Sequence, residues 1–291
     1  MDVMLPPIQA TPDQIAKRVL FNDNFQKPQL DQFYTKPKVA NACIRTALKC
    51  FPEPNTLFVE PSAGYGAFFY PLQKKGLQVR GIDIDPKSPD IKKGDFFNSP
   101  NLFEGNHKSI VVIGNPPFGK NSSNAVRFFN HAANYADGIA FIIPRTFRKL
   151  SLQRRLNEYF HLEIDRDIKP HSFIRNGNSY DVPCAWQIWL GKSIKRPFPK
   201  EPQIEHLLNY TTPEQASFAM RRVGYYAGRI IQNRITELSR STHYFIEELK
   251  PGIVEILKAV DWTKITKQTA GVRSLSKYEI ALKLEEHYNA C

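Results

Sequence analysis

The chain has 291 residues, of which 42% are hydrophobic, and carries a net charge of +12. That length suits one large domain, or one with a small appendage, built around a sizeable core. No run approaches the ~20 apolar residues of a membrane span. Met1 to Ala10 lacks the basic start and apolar core of a signal peptide. Cys43, Cys50, Cys184 and Cys291 form no Cys-x-x-Cys pair, and the seven histidines show no ligand spacing. The expectation is an intracellular protein, cytoplasmic or nuclear, with neither a membrane segment nor a metal site. The positive charge favours a polyanionic partner, with a solvated basic face as the rival reading. It is not a basic tail, because residues 192–291 carry a net +5 and the first 191 residues a net +7.

Residues 1–30 begin irregularly, and Thr11-Pro12-Asp13 opens a short helical pattern. Gln32 to Pro37 reads as a turn before a helix from Val39 to Cys50. Cys43 and Cys50, seven apart on it, share one side as small core residues. Thr56 to Glu60 is a strand. The small-residue turn Pro61-Ser62-Ala63-Gly64-Tyr65-Gly66 then leads into a helix ending near Gly76. Further strands are expected at 78–82, 110–113 and 138–144, with a weak one before Asp95. Helices are expected over 124–135 and 145–160. Strands at 161–168 and 181–190 follow, joined by a loop holding Asn176-Gly177-Asn178. Strands alternating with helices mean a mostly parallel sheet. The last two strands lack an intervening helix and make an antiparallel hairpin at one edge.

In such sheets ligands bind outside the carboxyl ends of the strands, where the strand order reverses. Glu60, Asp83, Asp95, Asn115 and Pro144 all lie at such ends. Gly64-x-Gly66 lets the backbone approach a ligand closely, although a plain tight turn explains it too. Glu60 would repel a pyrophosphate, which points to a cationic ligand with hydroxyls. Asp83 lies 19 residues after Gly64, where an acid can accept from both ribose hydroxyls; a helix N-cap is the alternative. Asp95-Phe96 could hydrogen-bond an adenine amine and stack on it, or be a surface acid before a loop.

Asn115-Pro116-Pro117-Phe118 follows the apolar run 110–113. Each proline fixes φ and lacks an N–H, and Asn115 is pushed to an extended conformation. The result is a stiff turn presenting the Asn115 amide oxygen, backbone carbonyls and then an aromatic face. Acceptors beside a flat apolar ring suit a planar group that carries an NH2.

Together, Glu60 to Gly66, Asp83, Asp95-Phe96 and Asn115 to Phe118 resemble the class I S-adenosylmethionine-dependent amino methyltransferases. More narrowly, they resemble those that methylate the exocyclic amine of adenine in nucleic acids. Gln32-Phe33-Tyr34-Thr35-x-Pro37 is similar to the segment that closes over the cofactor in the DNA enzymes of that group. The resemblance covers about residues 31–192. It implies a Rossmann-like α/β fold with a seven-stranded, mostly parallel sheet and an antiparallel terminal hairpin. It also implies S-adenosylmethionine as cofactor, held by Tyr34, Thr35, Glu60, Pro61, Ala63, Gly64, Gly66, Asp83, Ile84, Asp95 and Phe96. The catalytic residues it implies are Asn115, Pro116, Pro117 and Phe118. Asn115 and the Pro116 carbonyl would accept hydrogen bonds from the adenine amine, and Phe118 would stack on the base. DNA is favoured over RNA. A protein glutamine methyltransferase and a non-catalytic partner subunit are the rival functions.

Arg145, Arg148, Lys149, Arg154 and Arg155 begin just after the strand 138–144 and so emerge at the same edge as Asn115. They are expected to meet phosphates, with a solvated helix face as the alternative. Lys195 to Pro202 is a proline-rich connector. Residues 193–291 beyond the main domain read as a small α+β unit that could recognise the target. Its strands are expected at 218–228 and 243–246, and its helices at 252–260 and 274–288. Arg221, Arg222, Tyr225, Tyr226 and Arg229 there could mix phosphate contact with stacking, or could pack onto the main domain.

Overall fold

The computed structural model describes residues 33–175, 177–269 and 272–289; the helical pattern expected from Thr11 lies outside them. The chain divides into two compact units, with the boundary between Arg196 and Pro197.

The first unit is built on a seven-stranded sheet. Its strands in chain order are β2 (Thr56–Glu60), β3 (Gln78–Asp83), β4 (Lys92–Lys93), β5 (Ser109–Gly114), β6 (Gly138–Pro144), β7 (Phe160–Asp167) and β10 (Cys184–Gly191). They lie in the order β4-β3-β2-β5-β6-β10-β7. The first five are parallel, and β10 runs antiparallel to both β6 and β7. The fold is therefore α/β with a mostly parallel sheet and an antiparallel terminal hairpin. All seven residues of β6 are buried, as an apolar run in an interior strand requires. After β2 the chain adds β3 and β4 on one side and then returns to add β5 and β6 on the other. The strand order thus reverses between β2 and β5, and the crevice lies beyond Glu60 and Gly114.

Helices α1 (Pro37–Cys50), α2 (Phe69–Gln73) and α3 (Ser123–Ala132) contribute to the core of this sheet. Cys43 is buried in α1 and burial pushes its thiol up to about 12. Cys50 is half-buried against the same core.

Three expectations are corrected. Residues 145–160 are not one helix. A 3-10 turn over Arg145–Arg148 and a short α4 (Leu150–Gln153) take their place. The side chain of Asn130 binds the carbonyl of Arg155 and the N–H of Asn157, both at 2.8 Å. Those backbone groups are therefore used by α3 and not by a continuing helix. The segment before Pro37 is a strand, β1 (Tyr34–Thr35), and not only a turn. The loop around Gly177 is a hairpin of β8 (Phe173–Arg175) and β9 (Asn178–Tyr180). These three short strands form a second sheet, with Tyr34 opposite Ile174 and Thr35 opposite Phe173. The pairing of β1 with β8, about 140 residues apart, leaves no local pattern to read.

The second unit is a four-stranded antiparallel sheet ordered β11-β14-β12-β13, from β11 (Leu208–Tyr210), β12 (Phe218–Arg221), β13 (Ile230–Ile231) and β14 (His243–Glu248). Helices α5 (Ile253–Ala259) and α7 (Lys277–Tyr288) close its own core; the short α6 (Thr263–Thr266) lies between them in the chain. The strand expected over 218–228 stops at Arg221, because Gly224 and Gly228 take left-handed φ of 98° and 101°. Helix α7 starts later than expected, behind Ser276. That serine and Glu279 cap each other's backbone N–H groups.

Candidate active site

The crevice between β2 and β5 is built first from glycine geometry. Gly64 and Gly66 adopt φ of 49° and 76° in the turn after β2. A Cβ on Gly66 would lie 2.6 Å from the Tyr70 ring, and one on Gly64 would lie 3.1 Å from the Tyr34 ring. Both positions thus require glycine, for conformation and for space. The Gly64 N–H donates to Asp83 Oδ2 at 2.7 Å, and the Asp85 N–H donates to Oδ1 at 2.8 Å. Asp83 therefore ties the end of β3 to the glycine turn of β2. Beside it, Ile84 is 55% exposed, an apolar surface at the mouth of the crevice. Pro61 and Ala63 are buried in the turn itself.

Glu60 lies beneath the glycine turn. It is 2% exposed, and its carboxyl group accepts from the N–H groups of Phe69 at 2.7 Å and Phe68 at 3.4 Å. Burial pushes its pKa well above the ordinary 4.5, against those two hydrogen bonds, and the charge of Asp83 adds to the rise. Both oxygens face the start of α2, so Glu60 braces the turn from beneath and does not itself present hydroxyl acceptors to a ligand.

Asp95 and Phe96 are likewise occupied. Asp95 caps its own 3-10 turn, accepting from the Phe97 N–H at 3.0 Å and from Asn98 Nδ2 at 2.8 Å. The Phe96 ring is buried in an aromatic cluster with Phe97, Phe103, Phe128 and His131. It stacks on Phe128 and meets Phe97, Phe103 and His131 edge to face.

Asn115 follows β5 directly. Its backbone carbonyl accepts from Ser62 Oγ at 3.2 Å, which couples it to the glycine turn. Its Nδ2 donates to the carbonyl oxygen of Phe33 at 2.8 Å. Its Oδ1 is buried and has no hydrogen-bond partner among the described residues. Pro116 and Phe118 are buried and Pro117 is half-buried. The Phe118 ring lies 6.3 Å from that of Phe33, stacked at 26°, and Phe33 in turn stacks on Tyr180 at 5.1 Å. The Arg175 guanidinium stands 5.2 Å from the centre of the Phe33 ring. Strand β1 thus carries Phe33 onto the tetrapeptide and Tyr34 onto the glycine turn. Thr35 Oγ1 is a second buried polar atom without a partner among the described residues.

The structure therefore brings Tyr34, Gly64, Asp83 and Asn115 into one connected crevice. It adds Phe33, Ser62, Arg175 and Tyr180, which the sequence reading did not assign to the site. Phe33 lies within the segment Gln32 to Pro37, two residues before Thr35. Nothing local pointed to Arg175 and Tyr180.

The basic residues after β6 divide. Arg148 makes a bidentate pair with Asp165, at 2.6 to 3.0 Å, and also meets Asp167 at 2.7 Å. Arg145 meets Asp167 at 3.2 Å. Both are thus engaged by β7. Lys149 is half-buried, and Arg154 and Arg155 are exposed. Arg155 lines an open cavity of about 560 Å³ with Arg127 and His131, to which none of the crevice residues contributes. Among the described residues no group of His, Cys, Asp or Glu is placed to hold a metal ion, and no helix is long and apolar enough to cross a membrane.

No family model matches the chain. Among solved structures it is similar to a Pyrococcus horikoshii protein provisionally described as an RNA methyltransferase. The identity is 19% and the TM-score 0.43, over 62% of this chain and 100% of that one. It is also similar to the modification subunit of a provisionally assigned type I restriction enzyme from Vibrio vulnificus YJ016, with 12% identity and a TM-score of 0.42. That match covers 88% of this chain, which spans 62% of the subunit's length. A third is magnesium protoporphyrin IX methyltransferase from Synechocystis PCC 6803, solved with bound S-adenosylmethionine. It gives 13% identity and a TM-score of 0.36, over 63% of this chain and 92% of that one. At such identities the likeness is one of fold.

Proposed function

We propose that the protein transfers a methyl group from S-adenosylmethionine to the exocyclic amine of adenine in nucleic acid, with DNA favoured over RNA. The observation that carries this reading is the Asn115 amide. Its nitrogen is held by the Phe33 carbonyl, so its oxygen is left as a buried acceptor without a partner among the described residues. A buried acceptor left unmade costs about 1–3 kcal/mol. An incoming NH2 group relieves that cost.

The crevice residues fit the cofactor. The Gly64–Gly66 turn is packed by the Tyr34 and Tyr70 rings and tied to Asp83, Ile84 offers an apolar surface to a base, and Asp83 retains lone pairs for hydroxyls. Thr35 Oγ1 is a further polar atom awaiting a partner. Asp83, Gly64, Gly66, Tyr34, Thr35 and Ile84 would hold the cofactor, and Glu60 would keep the turn in shape. When bound, it supplies a methyl group activated by a sulfonium.

The adenine amine is a poor nucleophile because its lone pair is delocalised into the ring. Asn115 Oδ1 and the Pro116 carbonyl would accept its two N–H groups. That fixes the nitrogen in line and favours the tetrahedral geometry in which the lone pair is localised. The prolines restrict the backbone that carries the Pro116 carbonyl, and the Phe33 carbonyl holds the Asn115 amide. Phe118 would give its ring face to the base. Phe33 now covers that ring, so it must yield on substrate entry. In a duplex the base must also leave its stack. Lys149, close behind the end of β6, would meet phosphates at this edge, whereas Arg155 lines the separate cavity beside Asn130 and Asn157.

The test is a methyl-transfer assay on single-stranded DNA, duplex DNA, RNA and a glutamine peptide, read by mass spectrometry of nucleosides and peptides. Methyladenosine or its deoxy form is the expected product. Methylglutamine alone would replace the substrate assignment. No transfer, together with no heat on titration with S-adenosylmethionine, would overturn the activity.

A further inference from the structure

The C-terminal unit displays two large aromatic side chains to solvent, side by side. Tyr225 is 74% exposed and Tyr226 is 59% exposed. Their rings meet edge to face, with centroids 5.2 Å apart and planes at 85°. They stand on the turn between β12 and β13, and that turn is rigidly held. The N–H of Gly228 donates to the Arg221 carbonyl at 2.8 Å, and that of Gly224 to the Arg273 carbonyl at 2.9 Å. A Cβ on Gly228 would lie 2.6 Å from Trp262, so the turn is seated directly on that buried ring. A pre-ordered turn that leaves two rings in water points to a partner for the rings.

The surroundings name the partner's chemistry. Arg273 lies over the Tyr225 ring at 4.7 Å and Arg229 over the Tyr226 ring at 5.9 Å. Arg221, Arg222 and Lys277 are close by in the chain. No acidic residue occurs in 221–231 or 272–277. Flat apolar faces interleaved with guanidinium groups suit stacked bases and phosphates. Rings at right angles cannot enter one continuous stack; each can take one splayed base. A duplex keeps its base faces covered, so the match is to an unpaired strand.

We propose that Tyr225 and Tyr226, with Arg229 and Arg273, form a stacking platform for a single-stranded nucleic-acid segment. The inference rests on the reading of the protein as one that acts on nucleic acid, and adds where and in what form the polymer is held.

The experiment measures fluorescence anisotropy of labelled twelve-nucleotide strands, DNA and RNA, and of a matching duplex, with the full chain. Tyr225→Ala together with Tyr226→Ala should weaken single-strand binding about tenfold or more. The double Phe variant, which keeps the rings, should bind as the parent does. Arg229→Gln with Arg273→Gln should make the salt dependence shallower by about one to two ions. Thermal unfolding and S-adenosylmethionine titration should change little in any of them, since Tyr225, Tyr226 and Arg229 are exposed and Arg273 is only half-buried. Equal binding by the double Ala variant, in a protein that still methylates adenine, would overturn the platform alone. A parent chain that binds no strand and methylates a glutamine peptide would overturn both the platform and the proposed function.

Discussion

Asn115 Nδ2 donates to the Phe33 carbonyl at 2.8 Å although 82 residues separate the two. The bond decides which way the amide points. A carbonyl only accepts, so the nitrogen must face it and the oxygen must face away. The acceptor that a substrate amine needs is thereby set before any substrate arrives.

Replacing Asn115 by Ala should remove that acceptor. Methyl transfer should fall about 10²–10³-fold or more, the loss seen when one preorganised group at a reacting centre is deleted. Calorimetric binding of S-adenosylmethionine should survive, because the glycine turn and Asp83 are untouched. Turnover at the parental rate would remove Asn115 from the chemistry.

Gly66 and Gly76 allow a controlled comparison, since their φ values are 76° and 73°. A Cβ meets nothing within 4 Å at Gly76 but the Tyr70 ring at 2.6 Å at Gly66. Gly76→Ala should cost about 1 kcal/mol from backbone strain alone. Gly66→Ala should cost about 2–4 kcal/mol, with the crowding added. Urea denaturation of both variants checks the difference, and equal losses would mean that Tyr70 simply moves aside.

Glu60 should make stability depend on pH. Burial holds its carboxyl proton to a pH well above the ordinary 4.5, so the folded chain keeps a proton that the unfolded chain has lost. Its contribution is then fully present below the ordinary value and is lost as pH rises through the raised one. Unfolding free energy, measured by urea titration at a series of pH values, should decline over that window. Glu60→Gln does not titrate and should flatten the decline; an unchanged slope would assign it to other groups.

Arg148 should matter for folding and not for nucleic acid. Its side chain is spent on Asp165 and Asp167, and the ion pair with Asp165 is only about a fifth to a quarter exposed. Arg148→Ala leaves the two carboxylates facing each other and should cost about 1–2 kcal/mol, a bidentate value reduced for partial solvent screening. The slope of log affinity against log salt for a bound oligonucleotide should stay the same. A slope shallower by about one would make Arg148 a phosphate contact after all.

What the sequence alone determined is whatever rests on short spacing. The apolar runs at 110–113 and 138–144 marked buried strands because periodicity and β-branching act within a few residues. Gly64-x-Gly66 and Asp83 marked the carboxyl edge because a left-handed φ and a strand-end acid are local demands. The sheet's class and its terminal hairpin followed from the order of elements. The tertiary structure decided what those residues face. Glu60 and Phe96 have the right types at the right strand ends, yet one is turned beneath α2 and the other into a ring cluster. Pairing of β1 with β8 carries Phe33 to Asn115, and pairing of β8 with β9 adds Tyr180 to the stack. The pairing of β1 with β8 joins segments about 140 residues apart in the sequence. Its energy comes from contacts that exist only once the main sheet has formed, so no window of sequence contains them.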